Sequence, residues 1–159
     1  MRIGIISDTH GLLRSEVFTR FAGVDHILHA GDIGPAALLT ELEAIAPVTA
    51  VWGNTDGFDI RQRVPEVATV ELGGVRIVVL HGMQLGSPTP ARAAAAYPDA
   101  DLVVFGHSHK PVIEQVGGVL AVNPGSAGPP RFRDPITCAI GIIEGGRISV
   151  ERIELRNER

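Results

Sequence analysis

The sequence predicts an α/β protein in which two β-sheets pack face to face and helices cover their outer sides. Two observations carry this. The first half alternates short apolar runs with helical stretches, in the order strand, helix, strand, helix, strand, and that alternation favours parallel strands joined by crossovers. The second half is rich in apolar runs paired around Gly-Gly dipeptides, which favours antiparallel hairpins. A third observation concerns chemistry: strand after strand ends in a Gly-bounded turn bearing Asp, Asn or His.

Arg2 to Ile6 reads as a short buried strand leading into Ser7-Asp8-Thr9-His10-Gly11. Leu13 to Phe21 follows as a helix, with Leu13, Val17 and Phe21 spaced by four on one face. Asp25 to His29 is a second strand, ending at Ala30-Gly31-Asp32. Pro35 opens the next helix, with Leu38, Leu39, Leu42 and Ile45 as its apolar stripe. Pro47 to Val51 is a third strand, ending at Trp52-Gly53-Asn54-Thr55-Asp56-Gly57. Val67 to Leu72 and Val75 to Leu80 form a hairpin whose second arm runs into His81-Gly82. Thr89 caps a short Ala-rich helix that begins at Pro90. Asp101 to Phe105 is a strand ending at Gly106-His107-Ser108-His109. Two more hairpins follow, Val112 to Val116 with Val119 to Val122, and Ile136 to Ile143 with Arg147 to Leu155. Between them lies a loop from Asn123 to Asp134 that is rich in Gly and Pro, and Arg156 to Arg159 is a polar end expected to fray.

Length and composition bound the rest. The 159 residues suit one domain, 1–159, and 45% hydrophobic residues mark it as globular. With 14 Lys and Arg against 18 Asp and Glu, the formal charge is −4. That excludes broad nucleic-acid binding and attraction to an anionic membrane. Cys138, the sole cysteine, sits in an apolar run and is expected to be a buried, inert thiol. No stretch has a signal peptide's pattern or a membrane span's length, so a cytoplasmic protein is expected.

Seven turn side chains offer oxygen or imidazole donors: Asp8, His10, Asp32, Asn54, His81, His107 and His109. Asp8 and His10 are two apart, which puts them on one side of an extended segment. His107 and His109 repeat that spacing. Taken singly, each has a plain structural reading, since Asp and Asn tolerate turns and His81 fits a core histidine. Taken together at successive strand ends, where ligands of open α/β sheets gather, they predict a metal site. The mixture suits Mn²⁺, Fe²⁺, Co²⁺, Ni²⁺ or Zn²⁺ better than Mg²⁺ or Ca²⁺. Seven donors exceed one ion and suffice for two if a carboxylate bridges, with the ions ~3.5–4 Å apart. Such a pair outweighs its two aspartates and leaves a positive pocket for phosphate in a negative protein.

On these residues the chain resembles the calcineurin-like metallophosphoesterase superfamily. Asp8-x-His10, Gly31-Asp32, Gly53-Asn54, His81 and Gly106-His107-Ser108-His109 match its motifs, and Gly-Asn-x-Asp with Asn123-Pro124-Gly125-Ser126 is similar to its small YfcE-like phosphodiesterase branch. The resemblance implies a four-layer α/β/β/α sandwich of two mixed sheets flanked by helices. It implies one ion on Asp8, His10 and His109, a second on Asn54, His81 and His107, and Asp32 between them. The implied activity is phosphoester hydrolysis by a hydroxide held on two divalent ions, Mn²⁺ foremost, acting on a small-molecule phosphoester, with a homo-oligomer as one possible assembly.

The chain departs from the wider superfamily where many members carry His after Gly-Asn. Thr55 stands here, and it has no proton to give near neutral pH, so diesters with good leaving groups are expected as substrates. Asp32, Asn54 and Asp56 are the candidate catalytic groups. Asp56 either supports the site or caps its own turn. Gly-Asp continues as Ile33-Gly34-Pro35, without the residues protein phosphatases carry there. Arg131 and Arg133 are candidates for substrate binding; Arg61, Arg63 and His26 read as surface residues, and Trp52 as core or rim. The alternative from another class is a protein-binding scaffold on the same fold with little or no turnover, as in a retromer subunit.

Overall fold

The computed structural model describes residues 1–157. Its strands are β1 (Arg2–Ile6), β2 (His26–His29), β3 (Val48–Ala50), β4 (Val67–Leu72), β5 (Val75–Leu80), β6 (Leu102–Val104), β7 (Val112–Val116), β8 (Val119–Asn123), β9 (Thr137–Glu144) and β10 (Arg147–Glu154). Its helices are α1 (Ser15–Arg20), α2 (Ala36–Glu43), α3 (Phe58–Arg63) and α4 (Pro90–Ala96), with a 3-10 turn at Met83–Leu85. One sheet has the order β10-β9-β1-β2-β3, the other β4-β5-β6-β8-β7. In the first, β1, β2 and β3 run parallel, with Ile5 opposite Leu28 and Leu28 opposite Thr49. In the second, β5, β6 and β8 run parallel, with Val78 opposite Val103 and Val103 opposite Ala121. β3 forms one edge of the first sheet, and the hairpin β9-β10 adds antiparallel strands at its other side; in the second sheet both edges, β4 and β7, are antiparallel hairpin arms.

Side-chain alternation along the strands builds three cores between four layers. Ile3, Ile5, Leu28, Ile77, Val79, Leu102 and Val104 fill the space between the sheets. The opposite face of the first sheet, with Ile6 and Ile27, packs against Val17, Phe21, Leu38, Leu42 and Ile60 of the helices. The opposite face of the second, with Val78, Leu80 and Val103, packs against Ala93 and Ala94 of α4. This is the expected α/β/β/α sandwich, and both faces of the parallel strands are apolar because both are covered.

Several local expectations need correction. The first helix starts at Ser15, not Leu13, because Arg14 is extended with ψ 144; Leu13 instead packs on the core from the preceding turn. Helix α3 was not legible, since Ile60 alone of its six residues is buried and no apolar stripe marks it. Arg61 and Arg63 are exposed, as expected, but engaged: the Arg61 guanidinium lies 4.0 Å over the half-buried Trp52 ring, and its Nε donates to the Asp56 carbonyl at 2.8 Å. Arg63 pairs with Glu43 at 3.1 Å. His26 is half-buried and bonded to the Thr49 hydroxyl at 2.7 Å. Cys138 is buried as expected, and burial pushes its thiol up to about 12. Of the end expected to fray, Arg156 is tied to Glu16 by its N–H, while 158–159 lie outside the described residues. No described helix is long and apolar enough to cross a membrane.

Arg14 is a second residue the sequence did not single out. It is 4% exposed. Its guanidinium donates to the carbonyls of Ala127 at 3.2 Å, Gly128 at 2.9 Å and Arg156 at 3.3 Å. Three chain segments thus meet on one buried cation. Removing it strands the buried carbonyls of Ala127 and Gly128. Arg14→Ala should lower the unfolding free energy by about 2–4 kcal/mol, seen in urea as a lower midpoint at unchanged slope. Arg14→Lys should recover only part, because an ammonium cannot span the guanidinium's fork of donors.

Candidate metal centre

The turns after β1, β2, β3, β5 and β6 meet at one end of the sandwich. Backbone hydrogen bonds join them: Asp8 N–H to Gly31 O at 3.0 Å, His10 N–H to Asp32 O at 2.9 Å and Gly106 N–H to His81 O at 2.8 Å. Five of the donor-bearing residues, Asp8, His10, Asp32, His107 and His109, have positive φ between 45° and 72°. Non-glycine residues rarely adopt that conformation, and its clustering marks a functional site. Two glycines make the approach possible. A Cβ on Gly53 would collide with the Asp32 carboxylate, and one on Gly106 with Ser7 Oγ and Asp8 Oδ2.

All seven expected donors converge. His109 Nε2 is 3.3 Å from Asp8 Oδ1 and 3.3 Å from His10 Nε2, and His10 Nε2 is 3.8 Å from Asp8 Oδ1. On the other side, His81 Nε2 is 3.2 Å from Asp32 Oδ2, and His107 Nδ1 is 3.2 Å from His81 Nε2 and 3.1 Å from Asn54 Oδ1. Asp32 Oδ2 also lies 3.8 Å from His10 Nε2, so it stands between the groups. Donors about 2.1 Å from a shared ion are ~3.0–3.4 Å apart, depending on coordination angle. Most of the close spacings here fall in or near that range. Asp8, His10 and His109 form one candidate cation cluster, and Asp8, Asp32 and His81 another.

The hydrogen bonding points the same way. Asp8 Oδ2 accepts from the Ser7 hydroxyl at 2.7 Å and the His107 N–H at 3.2 Å, whereas Oδ1 is buried with no partner. A buried, bare carboxylate oxygen facing imidazoles fits a cation. His81 Nδ1 lies 2.8 Å from the Ala30 carbonyl. That oxygen only accepts, so Nδ1 carries the proton and Nε2 presents its lone pair inward. Burial opposes charge on His81, but the Asp32 hydrogen bond and the Asp8 and Asp32 charges outweigh it and raise its proton affinity. Burial likewise opposes the Asp32 charge, yet His81 and the Thr55 N–H hold its carboxyl below the usual range. His107 shifts downward, through burial and then the neighbouring His81. Asp8 and His81 lie on the buried floor, while Asn54 and Thr55 are exposed at the mouth.

Asp56 sits beneath the donors rather than among them. It is buried, and its oxygens accept from the backbone N–H of Ile33 at 2.9 Å, Gly34 at 3.0 Å and Gly53 at 2.9 Å. It therefore fastens the turn after β3 to the turn after β2. Arg131 and Arg133 are exposed, and among the described residues neither side chain makes a hydrogen bond or ion pair.

His29, placed by the sequence only at the end of the second strand, is a further fastening. Its Nδ1 accepts from the Gly31 N–H at 3.1 Å. Its Nε2 then donates to Thr9 Oγ1 at 3.0 Å, and that hydroxyl donates to Ile33 O at 2.8 Å. Burial pushes its pKa from 6.5 to about 3. The unfolded chain therefore takes up this proton first, and stability falls as pH drops through 6.5 toward 3. His29→Gln should remove that slope. Between pH 6.5 and 5 the parent should lose about 2 kcal/mol more than the variant in urea unfolding.

Residues 1–146 match the model of the calcineurin-like phosphoesterase superfamily domain. A probable metallophosphoesterase of Methanothermobacter thermautotrophicus is 35% identical, over 96% of this chain and 92% of that protein. Phosphodiesterase YfcE of Escherichia coli K12 is 29% identical, over 94% and 91%. Vps29 from Entamoeba histolytica, crystallised with Zn²⁺, matches with a TM-score of 0.77 at 24% identity, over 97% and 99%, a likeness of fold alone. Fold and site together define a metal-dependent phosphoesterase. The chain belongs to the calcineurin-like metallophosphoesterase superfamily and resembles its small YfcE-type members.

Proposed function

We propose that this protein hydrolyses small phosphodiesters at a two-ion centre, as the name of its YfcE relative suggests. Asp8, His10 and His109 would hold one ion and Asn54, His81 and His107 the other, with Asp32 placed to serve both. The observation that carries this is the buried, unpartnered Asp8 Oδ1 among converging imidazoles. Divalent ions bound there, Mn²⁺ foremost and Fe²⁺, Co²⁺, Ni²⁺ or Zn²⁺ as alternatives, would polarise a phosphoryl oxygen and acidify water. The chain's own part is orientation. The Thr55 N–H occupies Asp32 Oδ1 at 3.0 Å and leaves Oδ2 for bridging. The Asp56 carboxylate is saturated by backbone N–H groups, so its role is bracing and not proton donation. Arg131 and Arg133 supply positive charge to the substrate from the loop beyond Ser126.

Two measurements test this. With bis(p-nitrophenyl) phosphate, chelation should abolish turnover and Mn²⁺ should restore it. Asp32→Ala and His81→Ala should each lower kcat/KM by at least about 100-fold. Undiminished turnover after chelation overturns the metal mechanism. Full Mn²⁺ occupancy without turnover on any diester favours the scaffold alternative that the Vps29 fold represents. Second, with Thr55 at the mouth and Asp56 engaged, no side chain protonates the leaving oxygen. Rates across a series of methyl aryl phosphates should therefore drop steeply as the leaving phenol's pKa rises. A flat series would mean that an acid is present.

A further inference from the structure

Among the described residues six non-glycine residues have positive φ, and five of them are proposed ion ligands; the sixth is Phe132, at φ 54. It is also the most exposed large hydrophobic side chain, at 96%. Such a ring gains nothing from burial and holds an uncommon backbone conformation, which asks for a function. Its place on the chain supplies one. The loop leaves the site at Ala127 and Gly128. Ala127 N–H donates to Ser7 O at 3.1 Å, and Ser126 Oγ donates to Asp8 O at 2.9 Å. Gly128 lies so close to the Asp8–Thr9 backbone that a Cβ would collide with its carbonyls, and Arg14 holds Gly128 O from behind.

From that anchored base the chain continues through Pro129 and Pro130, whose rings fix φ. Four residue steps separate Phe132 from Gly128, so its backbone stands within ~14 Å of the chain anchored at Asp8 and Thr9. The tip closes by an Asp134 N–H to Arg131 O bond at 3.1 Å, with Phe132 and Arg133 as its central residues. Arg131 and Arg133 flank the ring with unpaired guanidinium groups. The tip thus presents an exposed apolar ring between two positively charged residues.

We propose that Phe132 is a stacking platform for the base of a nucleotide-type phosphoester, with Arg131 and Arg133 beside it attracting the phosphate. This rests on the two-ion phosphoesterase reading and narrows its substrate class. A bare phosphate or alkyl ester would use the donor cluster but leave the platform empty. A nucleotide carries both a phosphate for the donor cluster and a ring for the platform. Stacking on an aromatic side chain needs only a π-face, so the platform accepts different bases.

The test is titration calorimetry of Mn²⁺-loaded protein with adenosine 5′-monophosphate and with methyl phosphate, which differ only in the group carried. The parent should bind the nucleotide about 5- to 100-fold more tightly than methyl phosphate. Phe132→Ala and Phe132→Leu should erase that gap and leave methyl phosphate affinity and thermal stability unchanged, because the ring packs against nothing. Phe132→Trp should keep it. Equal affinities in the parent, or a gap that survives Phe132→Ala, overturn the platform. Failure of both compounds to bind is a different result, and overturns the phosphoesterase reading with it. If Phe132→Ala changes only self-association in sedimentation, the ring is a contact between copies and the platform is again overturned.

Discussion

A buried aspartate oxygen without a hydrogen bond organises this structure. Asp8 Oδ1 faces the Nε2 atoms of His109, His10 and His81 at 3.3, 3.8 and 3.9 Å. Asp32 Oδ2 sits against the same group. Two carboxylates and several imidazole lone pairs held this close, and largely out of water, favour positive charge between them. The raised proton affinity of His81 is the same attraction read with a proton in place of a metal ion. Five left-handed non-glycine residues add strain of roughly 1 kcal/mol each. Together that approaches the lower end of a domain's net stability, so the rest of the fold must hold these turns firmly.

It does so with a circuit of buried polar side chains, each tying one turn to the next. Asp56 links the turn after β3 to that after β2. Thr9 and His29 link the latter to the turn after β1. Ser126 joins that turn to the segment after β8, and Asn123 Nδ2 continues to Gly106 O at 3.1 Å and Ser108 Oγ at 3.0 Å. The His107 N–H closes the loop on Asp8 Oδ2. The bonds cross between the two sheets, so the interval between cation groups is set by both sheets and not by any single loop. That separates the roles of the two halves: apolar packing brings the strand ends together, and these bonds fix the positions of the candidate donor side chains.

The division also explains what was legible in the sequence. Strand periods, Gly-Gly hairpins and the Thr89 cap depend on near neighbours, so the two-sheet, helix-covered architecture could be read directly, and both early hairpin arms match residue for residue. The donors were legible for another reason: seven metal-binding residue types stood at strand ends in a recurrent pattern. The fastenings were not. Asp56 serves N–H groups 22 and 23 residues away, and Arg14 serves carbonyls 113 to 142 residues away. Nothing local to either residue encodes those partners. Helix α3 was hidden because a short helix with one buried side chain has no period to display.

The same cost bears on the choice between enzyme and scaffold. A surface that served only as a docking face would have no physical need of a bare buried carboxylate, which costs desolvation without return. Nor would it need left-handed aspartates and histidines, or glycines whose replacement would foul the ligands. Each of these lowers stability, and each becomes favourable only when charge is held at the centre. Likeness of fold to Vps29 is indifferent to this, because fold is set by the three apolar cores. The donor cluster lies at the ends of those strands and is specified separately. What the strain and the orphaned oxygen favour is a site built to bind cations tightly and leave their outer face open, at the exposed Asn54 and Thr55, to a phosphoryl group arriving from solvent.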